Sequence, residues 1–143
     1  MPNSVGESRF SLIFEGEALP VEKISAALQL EPTRVIRKGD VLNRLPLMVA
    51  DCDEWARTID LTNAQDTDTA LNDLLAQIIL HTGDLKAFAD GGIQVKLRLY
   101  VQSDYAQMSY RLMPETLSRL VATGLPLEVS SMSWGTYHKA NEW

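Results

Sequence analysis

The sequence predicts an α+β domain: an antiparallel or mixed sheet with helices packed mainly on one face. Three observations carry this. IQVKLRLYV at 93–101 alternates apolar and polar side chains, the habit of a strand with one buried and one wet face. Leu71, Leu74, Leu75, Ile78 and Ile79 recur at the spacing of an amphipathic helix. Prolines and glycines punctuate the chain between such segments, so strands and helices are interleaved.

In RFSLIFE at 9–15, Phe10, Leu12 and Phe14 share one face of a strand that Gly16 ends. Residues 20–30 read as a helix. Pro20 suits its first position, Ile24, Ala27 and Leu28 form its apolar stripe, and Pro32 stops it. TRVIR at 33–37 is a strand closed by a turn at Lys38-Gly39-Asp40, LPLMVA at 45–50 is extended, and DCDE at 51–54 is an acidic turn. WARTIDL at 55–61 alternates again, with Trp55, Arg57, Ile59 and Leu61 on one side. Asp66 or Asp68 is placed to cap the helix through Leu71–Ile79, Gly83 to end it, and Leu85 and Phe88 to form a short turn. After the strand at 93–101, PETLSRLVAT at 114–123 is a helix with Leu117, Leu120 and Val121 inward and Gly124 as its stop. Residues 126–134 return as a strand bearing Leu127 and Val129.

The layout contains a candidate repeat. Strand, proline, helix, proline, strand occurs with Pro20 and Pro32 and again, at equal spacing, with Pro114 and Pro126. The apolar stripe slips by one residue between the two copies. Two ferredoxin-like β-α-β halves sharing one sheet would produce such a pattern. The chain of 143 residues is expected to form a single domain, its core at about 9–134 and a C-terminal tail at 135–143.

Charge narrows the function. A net charge of −6 argues against nucleic acid and against an anionic membrane surface as partner. The chain opens without a basic region followed by an apolar run, and no apolar stretch approaches about 20 residues. Cys52 has no second cysteine to pair with. The expected location is the cytoplasm.

Positive charge concentrates in EPTRVIRKGDVLNR at 31–44, where Arg34, Arg37, Lys38 and Arg44 surround Gly39. Such a turn could hold a phosphate or carboxylate, although alternation puts Arg34 and Arg37 on opposite faces of the strand, and no phosphate-loop motif is present. The polar face of 94–102 carries Lys96, Arg98 and Tyr100, a binding surface if the sheet has an uncovered side. Cys52 is flanked by Asp51, Asp53 and Glu54, which disfavours its thiolate. His81 and His138 lie far apart, no zinc-type spacing exists, and the acidic groups near 51–54 and 66–73 lack the remaining features of a calcium loop. Trp134, Tyr137 and Trp143, with Tyr105 and Tyr110, are aromatics suited to anchoring a partner or covering the core.

The stretch FSLIFEGEALPVEKISAALQLEPTRVIRKGD resembles the opening of an uncharacterised bacterial family, the domain of unknown function numbered 4279. That family shows a strand, a helix ending in an LGI-x-PT phrase, and a basic KGD-like turn. Here the phrase is Leu28-Gln29-Leu30-Glu31-Pro32-Thr33, with Gln29 where the family has glycine. Trp55, the leucine-rich helix and the closing helix and strand also fit, over roughly 9–132; the ending LPLEVSSMSW departs from the family's LDIDIY-like tail. The resemblance implies an α+β domain and brings no established activity or cofactor. Some relatives look like immunity-type or accessory proteins.

The resulting expectation is a non-enzymatic protein-binding domain of immunity or accessory type, or one that self-associates as a homodimer. It requires no cofactor, metal or catalytic residue. Arg34, Arg37, Lys38 and Trp55 would bind, together with Lys96, Arg98 and Tyr100 on the open sheet face. The second reading is a small phosphorylated or carboxylated ligand, bound or acted upon at the basic turn.

Overall fold

The computed structural model describes residues 5–61, 67–103 and 111–133. Its elements are β1 (Val5–Gly16), α1 (Val21–Leu28), β2 (Arg34–Ile36), β3 (Val41–Arg44), β4 (Leu47–Val49), β5 (Asp53–Asp60), α2 (Thr67–Ile79), α3 (Thr82–Asp90), β6 (Gln94–Ser103), α4 (Pro114–Thr123) and β7 (Leu127–Ser133). Asp66, Tyr105, Tyr110, Trp134, Tyr137, His138 and Trp143, with the tail at 135–143, lie outside the described residues.

The main sheet has five strands in the order β2-β5-β1-β6-β7. All neighbours are antiparallel except β6 and β7, which are parallel. This is an α+β architecture with a mixed sheet. The two candidate repeat units are not equivalent. β1 and β2 run in the same direction but β5 lies between them, whereas β6 and β7 are direct neighbours. The similar proline spacing therefore ends in two different strand pairings.

Alternation in the strands separates the two faces. Phe10, Leu12 and Phe14 of β1 pair across with Leu99, Leu97 and Val95 of β6, and Phe14 with Trp55 of β5. On this face they join Ile24 and Leu28 of α1, Leu71, Leu74, Leu75 and Ile78 of α2, and Leu85 of α3 in one buried cluster. Trp55 is wholly buried there; its Nε1 donates to Ser25 Oγ at 3.0 Å, and its ring meets Phe14 edge-on at 5.3 Å. An indole in a core with its N–H satisfied is a packing residue. Trp55 was expected to bind a partner, and its burial removes it from any surface.

Several boundaries differ from expectation. Pro20 caps α1 rather than occupying its first turn, and the helix stops at Gln29, in the left-handed conformation at φ 55°, before Pro32 is reached. α2 ends at Ile79, so Gly83 falls inside α3 instead of ending α2. Asp68 lies in the first turn of α2, and its Oδ1 accepts from Met113 N at 2.9 Å, which positions the start of α4. Of the acidic turn, Asp53 and Glu54 belong to β5. In α4 the inward stripe is Thr116, Leu120 and Thr123, while Leu117 is exposed and Val121 is 80% exposed. α4 packs against α2 at the margin of the helix layer, which rotates its leucine stripe partly into solvent.

Candidate functional site

The basic turn is built around a carboxylate of the chain itself. Asp53 opens β5 and is 6% exposed. Its Oδ2 accepts from Leu19 N at 3.0 Å and from Arg37 Nη1 at 3.0 Å, and its Oδ1 accepts from Lys38 N at 2.8 Å. Arg37 Nη1 also donates to the Leu19 carbonyl at 3.2 Å. The Lys38 amide, with the Leu19 amide and Arg37, holds the Asp53 carboxyl below its ordinary value against the opposing pull of burial. Gly39 supplies the positive φ of 95° that the turn needs, and Asp40 Oδ2 accepts from Arg37 N at 2.8 Å. Lys38 Nζ pairs with Glu17 at 3.5 Å on the exposed surface. Asp53 thus accepts from the Arg37 guanidinium and the Lys38 amide, donors that an external anion at this turn would also use.

The same rule of alternation puts Arg34 on the other face of the sheet. Its Nε and Nη2 donate to Glu54 Oε2 at 3.2 and 2.7 Å. On that face it is joined by Arg9, Arg98 and Tyr100, around a shallow depression of about 360 Å³ that Ser11 and Thr58 also line. Ser11 and Thr58 share a hydroxyl hydrogen bond of 2.8 Å, and Arg9 lies over the Tyr100 ring at 5.1 Å. Lys96, beside them, is 13% exposed and bonds Glu15 at 2.9 Å; Arg98 Nε donates to Glu128 Oε1 at 2.6 Å. Burial draws the Lys96 ammonium down, but the hydrogen bond and charge of Glu15 override it and the net shift is upward. Arg98 holds the Glu128 carboxyl below its ordinary value. Of the expected binding residues, then, Arg34, Arg98 and Tyr100 meet around one depression with Lys96 alongside, Arg37 and Lys38 belong to a separate structural turn, and Trp55 belongs to the core.

A third surface follows the turn directly. β3 and β4 form their own two-stranded sheet, outside the main one. Gly39 N donates to the Ala50 carbonyl and Ala50 N to the Asp40 carbonyl, each at 2.8 Å, closing its base. Every residue from Val41 to Val49 is exposed, including Val41, Leu42, Leu47, Met48 and Val49, and Leu45 is 91% exposed. Arg44 stands among them and forms no ion pair among the described residues. The sequence reading groups Arg44 with the basic turn and takes 45–50 as extended, and assigns the apolar side chains no role. The available signal was a run of apolar residues with no polar alternation, which a core strand would equally show.

Residues 6–134 match the family described as Domain of unknown function (DUF4279). The chain belongs to this family. The DUF4279 match runs from the second residue of β1 through β7, and its description names no activity. No curated protein and no solved structure matches the chain. Gln29, where the family phrase has glycine, is the residue that takes the left-handed backbone at the end of α1.

Cys52 is half-buried; burial first, and then Glu15 and Asp51, push its thiol up, away from the reactive thiolate. No group of three or more metal-ligating side chains converges among the described residues, and no helix among them is long and apolar enough to cross a membrane.

Proposed function

We propose that this DUF4279 chain is a non-enzymatic protein-binding domain that docks its partner through the β3–β4 hairpin. The observation that supports the reading is the hairpin's exposure: six large apolar side chains stand in solvent on one projecting unit. Contiguous exposed apolar surface marks interaction sites in soluble proteins, and an isolated two-stranded hairpin gains stability from being covered. Charge defines the occupant. Between Val41 and Val49 the chain carries Arg44 and no acid. A second copy docking the same patch two-fold would set arginine against arginine with no carboxylate between them. The partner is instead a different protein, with an apolar surface edged by carboxylates that receive Arg44.

Native mass spectrometry of the protein purified gently from its own cells tests this. A second chain at fixed stoichiometry is expected with the wild type and is lost with the double variant Leu45→Ser/Met48→Ser. A homodimer, or a complex indifferent to those substitutions, overturns the proposal.

A further inference from the structure

We infer that the depression on the open sheet face is a binding site for a small-molecule oxyanion, a carboxylate or a phosphate. The inference does not depend on the hairpin reading. Ser11 pairs with Thr58 on one side and Arg98 on the other, and Arg9 pairs with Tyr100, so these side chains rise from the same face of three adjacent strands. Arg34 enters from β2, through its pairing with Ala56. Three guanidiniums thus reach one depression from three strands of a chain with net charge −6, and no acidic side chain lines it among the described residues.

The neighbouring carboxylates act as anchors. Glu54 takes Nε and Nη2 of Arg34, and Glu128 takes Nε of Arg98. Neither glutamate lines the depression. Each ion pair fixes its arginine while leaving terminal N–H donors outside the pair, because a guanidinium has five. Prepositioned donors of this kind match the paired oxygens of a carboxylate or phosphate. The Ser11 and Thr58 hydroxyls add short-range partners, and the Tyr100 ring supplies a wall already polarised by Arg9. A volume of about 360 Å³ suits a metabolite-sized molecule.

The test is a titration at constant ionic strength with inorganic phosphate and, separately, with succinate, read by melting temperature and by amide chemical shifts. At least one probe is expected to raise the melting temperature above matched chloride and to shift the Ser11, Thr58 and Arg98 amides; which probe does so separates phosphate from carboxylate ligands. Arg98→Gln is expected to weaken that binding by about tenfold, while Leu45→Ser/Met48→Ser leaves it unchanged. Equal stabilisation by chloride, or shifts confined to the 34–40 turn, overturns the site. Should Arg98→Gln unfold, the amide shifts of the wild type decide on their own.

Discussion

Residues 34–40 and 41–49 are consecutive in the chain and opposite in character. The first segment is tied down at nearly every polar group: Arg34 by Glu54, Arg37 and the Lys38 amide by Asp53, Lys38 Nζ by Glu17. The second is exposed throughout, apolar, and has its one cation without an ion pair among the described residues. The basic cluster that stands out in the sequence is largely neutralised at home. The apolar stretch beside it is exposed instead. At this turn the acids arrive from β5 and from the loop before α1, and Asp53 takes the donors of Arg37 and the Lys38 amide.

Breaking the closed segment should have the largest effect. Asp53→Ala strips the Leu19 and Lys38 amides and Arg37 of their acceptor, and buried donors left unpaired are costly. The expected result is a melting temperature lowered by many degrees, the largest loss of the series. Acid should reproduce part of it. The Asp53 and Glu128 carboxyls lie below their ordinary values of 3.8 and 4.5. Their stabilisation is therefore present above those values and lost as pH falls through the lowered folded-state values. Thermal melts between neutral pH and about pH 3 should show wild-type stability falling in that acid window, and falling less in Asp53→Asn. Equal acid sensitivity would remove Asp53 as the organiser of the turn.

Two further substitutions probe polar and backbone demands that the chain leaves unmet within itself. Thr116 Oγ1 is buried without a hydrogen-bond partner among the described residues. Thr116→Val should raise stability by about 1 kcal/mol in denaturant unfolding. Gln29 holds a left-handed φ of 55° that costs a non-glycine residue. Gln29→Gly should add about 0.5–1 kcal/mol. The end of α4, where Gly124 takes the same conformation at φ 70°, serves as the internal reference. The smallest effect is expected in the open segment. Leu45→Ser/Met48→Ser should move stability by no more than about 0.5 kcal/mol, as exposed substitutions do. A large destabilisation would make the hairpin part of the fold rather than a surface held for a partner.

Much of this was legible in sequence because period and burial agree. The alternation of 93–101 and of 9–15 identified β6 and β1 and their core faces, and the leucine spacing identified α2. The basic face formed by Lys96, Arg98 and Tyr100 also followed from alternation. What escaped depends on distant partners. Asp53 reads as one acid in DCDE, because its three donors come from residues 19, 37 and 38. Arg9 and Arg34 reach the same depression only through strand order. Trp55 shares its face with Ile59, and alternation alone does not say that this face is the covered one. The helix at 114–123, its Gly124 stop and the inward Leu120 agree with the sequence reading; Leu117 and Val121 do not, because packing against α2 selects Thr116 and Thr123 beside Leu120.

Site-specific photo-crosslinking in the cells of origin, with the reactive side chain at position 45 or at position 38, compares the two segments most directly. The expected result is one adduct of defined mass from position 45, carrying a single other protein, and none from position 38. Adducts from position 38 alone, or equal labelling at both positions, would contradict the division between a closed turn and a docking hairpin.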